Sequence, residues 1–564
     1  MLGLYLYAFG AQRQTITVLS TLGISESYTS IITKNKHRAT KKPEKEETHE
    51  EINAPETQRP GEGGEDKGST CSSFTGTLHQ LSESLRTNIQ SIASTGLYSI
   101  VYDNINMMFC NAEQIVGRHS RFAFQILVLI WSQWTDSQEN GTCATLVPLF
   151  KASLEDLKTE HYQKRFLEAA SLTISNVMQT VKEQKAFKKH LIFTILWIIV
   201  MHGGASFNIF EKDLERDQPY TKDKIELHKT PLHPLPAWNI DESSVTGNVE
   251  VDEAISKELN INKSSTFGDR LHFYAGDQLS VARFHTIENI CAGQEYGHWA
   301  FFSTTWFAGL FHAKLADTTG TLFTHWRKPN TGVRNPGSLW FHNTQLDRLP
   351  ITLSSLPTFR VCRDLIFTSL YARVLHCLLL VAGVSSLEDY LQKYGKWSTL
   401  VSHAEVIYCK YTWPSEVERL RTKRANNPKD GDMVFENAVL FLRDALISRE
   451  FSDAVKAGDL GRVLMVLKAW ALGFWGNGRT KYAYEMLHLI HNFTTVWSLA
   501  VRWISLAAFA LIVVDIFPLR DIVMNNWLLN PTGKPNSFVE IDLMQEHLNY
   551  WIKVSFDIYK KLHG

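Results

Sequence analysis

Three carboxylates stand in a pattern that suits metal-dependent phosphoryl transfer. Asp277 directly follows residues 271–276, an apolar run typical of a strand, so its carboxylate is predicted at the strand's C-terminal end. Asp317 follows further along the chain, and Glu540 lies far downstream in a predicted closing helix. Mg²⁺ and Mn²⁺ prefer hard oxygen ligands. We therefore predict Asp277, Asp317 and Glu540 as metal ligands and catalytic residues, with Mg²⁺ or Mn²⁺ as the cofactor.

The sequence leaves the third acid open. Glu540 stands three residues after Ser537, which is the N3 position of a capping box. Glu546 is the alternative catalytic acid, and it shares a helical face with Asp542, four residues before it. Capping and surface roles compete with metal binding for all of these residues, since the chain holds 58 acidic side chains from which three are easily found by chance.

An RNase H-like sheet would position such ligands, because it supplies a first-strand Asp, a later strand-end Asp and an acid on a C-terminal helix. We predict an α/β fold with predominant helix, in which an RNase H-like central sheet carries a large helical insertion. Residues 33–69 combine a basic block with an acidic, Pro- and Gly-containing block and cannot bury much apolar surface. The predicted divisions are an N-terminal helical segment (1–32), a disordered linker (33–69), a mainly helical region (70–235), an α/β core (236–350), a helical insertion (351–530) and a closing helix (531–564).

Composition limits the classes of function. The 564 residues include 58 basic and 58 acidic side chains, so the chain lacks the basic excess of a dedicated nucleic-acid binder. Its seven cysteines form no Cys-x-x-Cys pair, which argues against a zinc ribbon and favours an intracellular location, nuclear or cytoplasmic. No P-loop, kinase signature, Gly-x-Ser-x-Gly elbow or His-Glu-x-x-His is present. His312, His325 and His342 lack the close spacing of zinc ligands and are expected to have structural roles.

Two apolar runs bear on a membrane partner. Residues 191–201 and 503–514 are both shorter than the roughly 20 residues that a spanning helix needs. We predict both as buried helices and expect no membrane association. DNA is the expected partner, no small-molecule ligand is indicated, and the oligomeric state is open.

Several blocks of the chain resemble a known family. The chain is similar to the uncharacterised fungal proteins, many-copied in mushroom-forming species, that carry the domain of unknown function DUF6589. The resemblance implies no activity, but the multicopy habit is similar to that of mobile elements and implies a transposase origin. The matching blocks are Tyr102–Asn106, Asp136–Thr142, Asn239–Ser243, Gly276–Leu279, Phe311–Lys314, Arg479–Ala483 and Asn530–Gly533.

The chain departs from the family pattern at two apolar inserts, residues 119–135 and 503–520. Relatives run almost directly across both places. We interpret the inserts as intron read-through, a hypothesis that finding both in the mature transcript would overturn.

Two functions follow from these observations. The first is a transposase-derived, RNase H-like nuclease or strand transferase, active or degenerate, which the order of the carboxylates favours. The alternative is a non-catalytic DNA- or protein-binding helical module, which the zero net charge favours.

Overall fold

A computed structural model describes nine stretches of the chain. They are residues 77–107, 139–261, 267–291, 301, 303–327, 335–498, 501–507, 510–516 and 519–563. The predicted N-terminal segment 1–32, the predicted linker 33–69 and the insert 119–135 lie outside the described residues.

A mixed five-stranded sheet occupies the centre of the described fold. Its order is β3-β2-β1-β4-β5, with β1 antiparallel to β2, β2 antiparallel to β3, and β1, β4 and β5 parallel. Every residue of β4 and β5 is buried, as expected for parallel strands covered on both faces. The strands are β1 (Tyr98–Met107), β2 (Glu139–Pro148), β3 (His233–Pro234), β4 (His272–Gly276) and β5 (Thr304–Ala308).

The sheet corrects the predicted strand order. Three of its strands come from residues 70–235, within the predicted mainly helical region. Strands β1 and β2 form there because they are long and rich in β-branched and apolar residues. Asp277 therefore follows the fourth strand, not the first.

Helices supply most of the remaining structure. The helices are α1 (Thr77–Thr95), α2 (Thr159–Glu168), α3 (Ile174–Val177), α4 (Val181–His202), α5 (Glu211–Arg216), α6 (Val245–Glu258), α7 (Gln278–Ile290), α8 (Leu310–Trp326), α9 (Leu339–Gln345), α10 (Phe359–Ala382), α11 (Leu387–Tyr394), α12 (Trp397–Tyr411), α13 (Pro414–Asn426), α14 (Met433–Ala457), α15 (Leu460–Gly476), α16 (Thr480–His491), α17 (Leu519–Asn526) and α18 (Ile541–His563). Short strand pairs are β6 (Val501–Ala507) with β7 (Ala510–Ile516), and β8 (Leu528–Leu529) with β9 (Val539–Glu540).

The two faces of the sheet belong to two different cores. Along β1, Ile100 and Tyr102 enter one core, whereas Val101 enters the other, because successive side chains of a strand point to opposite faces. Helices α1, α6 and α7 cover the first face. The second face is continuous with a large core built by α4, α8 and residues 335–498, which we call the helical region.

The closing helix starts later than the sequence predicts. Residues 539–540 pair with β8, so α18 begins at Ile541 and Glu540 lies in a strand, not at position N3 of the helix. The capping box from Ser537 is therefore wrong. Helix α18 then crosses the sheet, where Thr145 donates to the side chain of Gln545 (2.7 Å).

The apolar runs have different structures. Residues 191–201 lie in α4 and are largely buried, as predicted. Residues 503–514 belong to the β6–β7 hairpin, so the predicted helix is wrong there; β-branched residues such as Ile504, Val513 and Val514 favour strands. Among the described residues, α10 is long and apolar enough to cross a membrane, a property that core helices of soluble proteins share.

Candidate functional site

Four carboxylates from distant parts of the chain converge at one end of the sheet. Asp103 lies on β1, Asp277 directly follows β4, Glu242 precedes α6, and Glu546 lies on α18. Strands β1 and β4 are parallel neighbours with Val101 opposite Ala275, and the same register two residues on brings Asp103 beside Asp277. We call Asp103, Glu242, Asp277 and Glu546 the carboxylate cluster.

Asp103 is the member of the carboxylate cluster that lies within a strand, and it is buried, with 7% of the residue exposed. Burial raises the pKa of its carboxyl to about 7, and the charges of Glu546 and Asp277 add to this increase, while His312 opposes it. Asn549 of α18 donates to its carboxylate (3.1 Å). Asp103 is thus held in place, yet its acidic neighbours outnumber the cation that acts on it.

Glu242 is buried beside Asp103. Burial raises its pKa well above the ordinary value, and the charges of Asp103 and Asp277 raise it further. Its Oε2 atom is buried without a hydrogen-bond partner. A buried polar atom in this condition is costly, and a bound ion or water would satisfy it.

Asp277 has a structural role as well. It is the N-cap of α7, and its Oδ1 accepts a hydrogen bond from the Ser280 backbone N–H (2.7 Å). The capping role and a ligand role are compatible, because a carboxylate has two oxygens that accept several bonds.

Asp542 fixes α18 against the start of α8. Its carboxylate accepts hydrogen bonds from the backbone N–H groups of Phe311 and His312, both 3.0 Å long, and from the His312 ring (3.0 Å). The N-cap of α8 is Gly309, where an added Cβ would lie 2.2 Å from the Asp542 carboxylate carbon. The close approach of these two helices therefore requires glycine at position 309.

His312 connects this cap to the carboxylate cluster. Its Nε2 lies 3.7 Å from Oε1 of Glu546. Burial alone lowers the pKa of His312, but the hydrogen bond and charge of Asp542 outweigh it and raise the pKa to about 9. His312 is consequently charged at neutral pH and partly offsets the acids around it.

Two of the sequence-predicted site residues lie elsewhere. Asp317 is buried on α8 and accepts a hydrogen bond from Ser448 of α14; burial raises its pKa to about 8. Asp317 is not among the charges that act most strongly on Asp103 or Glu242. Glu540 is also buried and pairs with Lys314. The structure thus brings Asp277 and Glu546 together, and leaves Asp317 and Glu540 in other contacts because both face helical packing.

Glu540 and Lys314 line a cavity of about 440 Å³. Arg363, Arg449 and Tyr371 also line it. The cavity lies between the helical region and α18, outside the carboxylate cluster.

Sequence reasoning missed Asp103 and Glu242. The signal for Asp103 was the run 98–105, in which aromatic and β-branched residues surround a single acid. Glu242 follows an irregular, proline-containing segment, where no periodic pattern marks a buried position.

The remaining predicted histidines have structural contacts. His325 pairs with Asp444 (3.0 Å), and the His342 ring contacts the Ser369 hydroxyl (2.9 Å). Both contacts agree with the expected structural roles.

The fold and the cluster define a helix-dominated α/β protein with a carboxylate-rich site at one end of a mixed sheet. The chain belongs to the family of unknown function DUF6589, whose sequence profile matches residues 166–561. The matched part contains Glu242, Asp277, His312 and Glu546, and it begins after β1, so Asp103 lies outside it. No curated protein and no solved structure matches the chain.

Proposed function

We propose that this protein is an RNase H-like nuclease or strand transferase that uses Mg²⁺ or Mn²⁺ and descends from a fungal transposase. Asp103, Asp277 and Glu546 are the proposed ligands. They come from the first strand, the end of a later strand and the closing helix, the sources from which an RNase H-like fold takes its ligands. A three-stranded antiparallel unit extended by two parallel strands also suits this fold.

One observation carries the proposal: a buried acid on the central strand faces other acids and, within the described part of the chain, forms no ion pair with an arginine or lysine. The charges of Glu546 and Asp277 both raise the pKa of Asp103. Strongly perturbed carboxylates grouped at a sheet end are candidates for function. A structural acid at the same depth is more economically paired with a cation.

The residues present suit a hard divalent cation. Carboxylate oxygens are the ligands that Mg²⁺ prefers, and the Oε2 atom of buried Glu242 has no other partner. Asp103, Asp277 and Glu546 would hold the metal, with Glu242 beside them. When bound, such ions stabilise the charge on the attacking and leaving oxygens of a phosphoryl transfer.

Other side chains orient these ligands. Asn549 holds the carboxylate of Asp103 through a 3.1 Å hydrogen bond, and Gln545 donates to Asn549 (3.0 Å). His312 lies against Glu546, and Asp542 fixes His312. Both arrangements depend on α18, which explains why the ligand-bearing helix is docked by polar contacts and not by apolar packing alone.

A plasmid-nicking assay tests the proposal. The full chain should nick supercoiled DNA in Mn²⁺. Asp103→Asn should reduce the nicking rate by at least about 100-fold, because loss of an outer-shell partner of a metal ligand alone costs up to about 100-fold and Asp103 is a proposed direct ligand. Asp317→Asn is the matched control, because this acid is equally buried but lies outside the cluster, and its rate should stay near that of the wild type.

The outcomes separate three cases. Equal rates in the wild type and Asp103→Asn would overturn the assignment of the site. Mn²⁺ binding that depends on Asp103 but no nicking would indicate a degenerate enzyme. DNA binding with neither nicking nor Asp103-dependent Mn²⁺ binding would favour the alternative, a non-catalytic binding module.

A further inference from the structure

A second group of metal-ligand side chains lies apart from the carboxylate cluster. His285 lies on α7, and Glu485 and His488 lie one turn apart on α16. One ligand atom from each residue lies within 4.8 Å of the other two. Nε2 of His285 is 4.0 Å from Oε2 of Glu485, and the two imidazole centroids are 4.6 Å apart. Each side chain therefore points toward a common centre.

The outer contacts of this group match those of a metal site. Nδ1 of His285 lies 3.3 Å from Oε2 of Glu288, while its Nε2 is buried without a hydrogen-bond partner. A ligating histidine characteristically donates one ring N–H to a carboxylate and presents the other nitrogen to the metal. His285 has this arrangement, with Nε2 directed at Glu485.

The other two members also have outer partners. Gln278 donates to Oε1 of Glu485 (3.4 Å), and the Asn492 amide lies 3.5 Å from Nε2 of His488. Oε2 of Glu485 still faces His285, and Nδ1 of His488 would be the ligand atom of that residue. The three residues are thus held in position by neighbours that do not fill the centre between them.

The donor atoms of the group indicate which cation it suits. Two imidazoles and one carboxylate form a mixed nitrogen and oxygen set that suits Zn²⁺ better than Mg²⁺.

We propose that His285, Glu485 and His488 bind one Zn²⁺ ion. The ion would join α16, the last helix of the helical region, to α7, the helix that begins directly after Asp277. It would thereby hold the helical region against the sheet end that carries the carboxylate cluster. This inference does not depend on the proposed nuclease activity.

Cobalt absorption provides a direct test. We would titrate the untagged, EDTA-dialysed full chain with Co²⁺, which gives an intense visible absorption in a tetrahedral nitrogen-containing site. The wild type should show this band at one equivalent and lose it on addition of Zn²⁺. Glu485→Gln and His285→Ala should each lack the band, and Zn²⁺ should raise the melting temperature of the wild type but not of these two variants.

Two controls make the result specific. His491→Ala changes the next histidine of α16, whose ring contacts the Ala170 carbonyl outside the group, and it should keep the band. Asp103→Asn should also keep it, since a carboxylate-rich site would not supply a tetrahedral nitrogen set. Glu485→Gln is nearly isosteric, and circular dichroism would verify its fold. Absence of the band in the wild type, or an unchanged band in Glu485→Gln, would overturn the proposal and leave a hydrogen-bonded cluster.

Discussion

Buried charges are treated differently in the helical region and at the sheet end. In the helical region, Glu450 and Arg462 are almost fully buried and form a two-bond pair of 2.7 and 2.8 Å. At the sheet end, Asp103 and Glu242 are similarly buried but face Asp277 and other acids. The first region compensates its buried charge within the protein, whereas the second leaves its charge to be compensated by something else.

This difference separates structure from function. A paired buried charge is expensive to break but tells little about activity. A group of unpaired buried acids costs stability in the free protein, and such groups persist where a ligand or reaction requires them. Removing a buried carboxylate should therefore destabilise the helical region, but stabilise the sheet end when no ligand is bound.

The largest effect is expected from Glu450→Ala. This change leaves the Arg462 guanidinium buried without its carboxylate partner, and breaking a buried ion pair in this way costs about 3–5 kcal/mol. Chemical denaturation should show a lower midpoint with an unchanged slope.

Glu83→Ala is the surface counterpart of that experiment. The Glu83 side chain is 52% exposed and its partner Arg86 is 45% exposed, so the loss should stay within about 1 kcal/mol. Similar losses for the two variants would contradict the view that the helical region depends on its buried pair.

The opposite sign is expected for Asp103→Asn without divalent ions. Asp103 has a pKa raised from 3.8 to about 7 in the fold, so the folded state retains a proton that the unfolded chain releases. The wild type should therefore lose stability as the pH rises from about 4 to about 7. Asp103→Asn should lack this loss and exceed the wild type by about 2–4 kcal/mol at pH 8. Unfolding in urea with EDTA, at pH 4.5 and pH 8, measures both quantities.

Asp317→Asn sharpens the comparison. Asp317 also has a pKa raised to about 8. Asp317→Asn should therefore also lack a loss of stability that the wild type shows as the pH rises. Mn²⁺ should then stabilise the wild type and Asp317→Asn, but not Asp103→Asn. Loss of the Mn²⁺ effect in Asp317→Asn would place this acid in the metal site, as the sequence alone suggested.

The two regions were also unequally predictable from sequence. The long helical elements of the helical region were predicted because apolar residues recur there at helical spacing, as in α10 and α14. Asp277 was found because Gly-Asp after an apolar run marks a strand end. Both signals lie within short segments of the sequence, so they can be interpreted without tertiary information.

Asp103, Glu242 and the role of Glu546 required tertiary information. The residues of the carboxylate cluster lie in β1, before α6, after β4 and in α18, and only the sheet register brings them together. The linear order of the acids predicted Asp317 as a ligand. Whether its side chain meets Ser448 or the sheet end depends on the face of α8 on which it lies. The sequence pattern does not specify that face, since α8 is apolar around much of its circumference.

A smaller effect is expected from Gly309→Ala, which tests how the sheet end receives its closing helix. The added Cβ would lie 2.2 Å from the Asp542 carboxylate carbon, so α18 must shift. Such overpacking costs about 1–3 kcal/mol. The shift would also move Glu546, so the rate of metal-dependent nicking should fall even under conditions in which the variant remains folded. Gly473→Ala is a suitable control, because its Cβ would meet open space on α15.

The smallest effect is expected when a short Gly-Ser linker replaces residues 499–518, which include the β6–β7 hairpin. The backbone N–H of Arg520 donates to the Trp497 carbonyl (3.0 Å), so the chain leaves and rejoins the fold at one place. Closing a shorter loop between adjacent ends should change the unfolding free energy by less than about 1 kcal/mol. Nicking should be unchanged, because Arg520 keeps its pair with Asp223 (2.9 Å) and both flanks stay anchored. A variant that fails to fold would show that the hairpin is an integral part of the protein, and would argue against its origin in an unspliced intron.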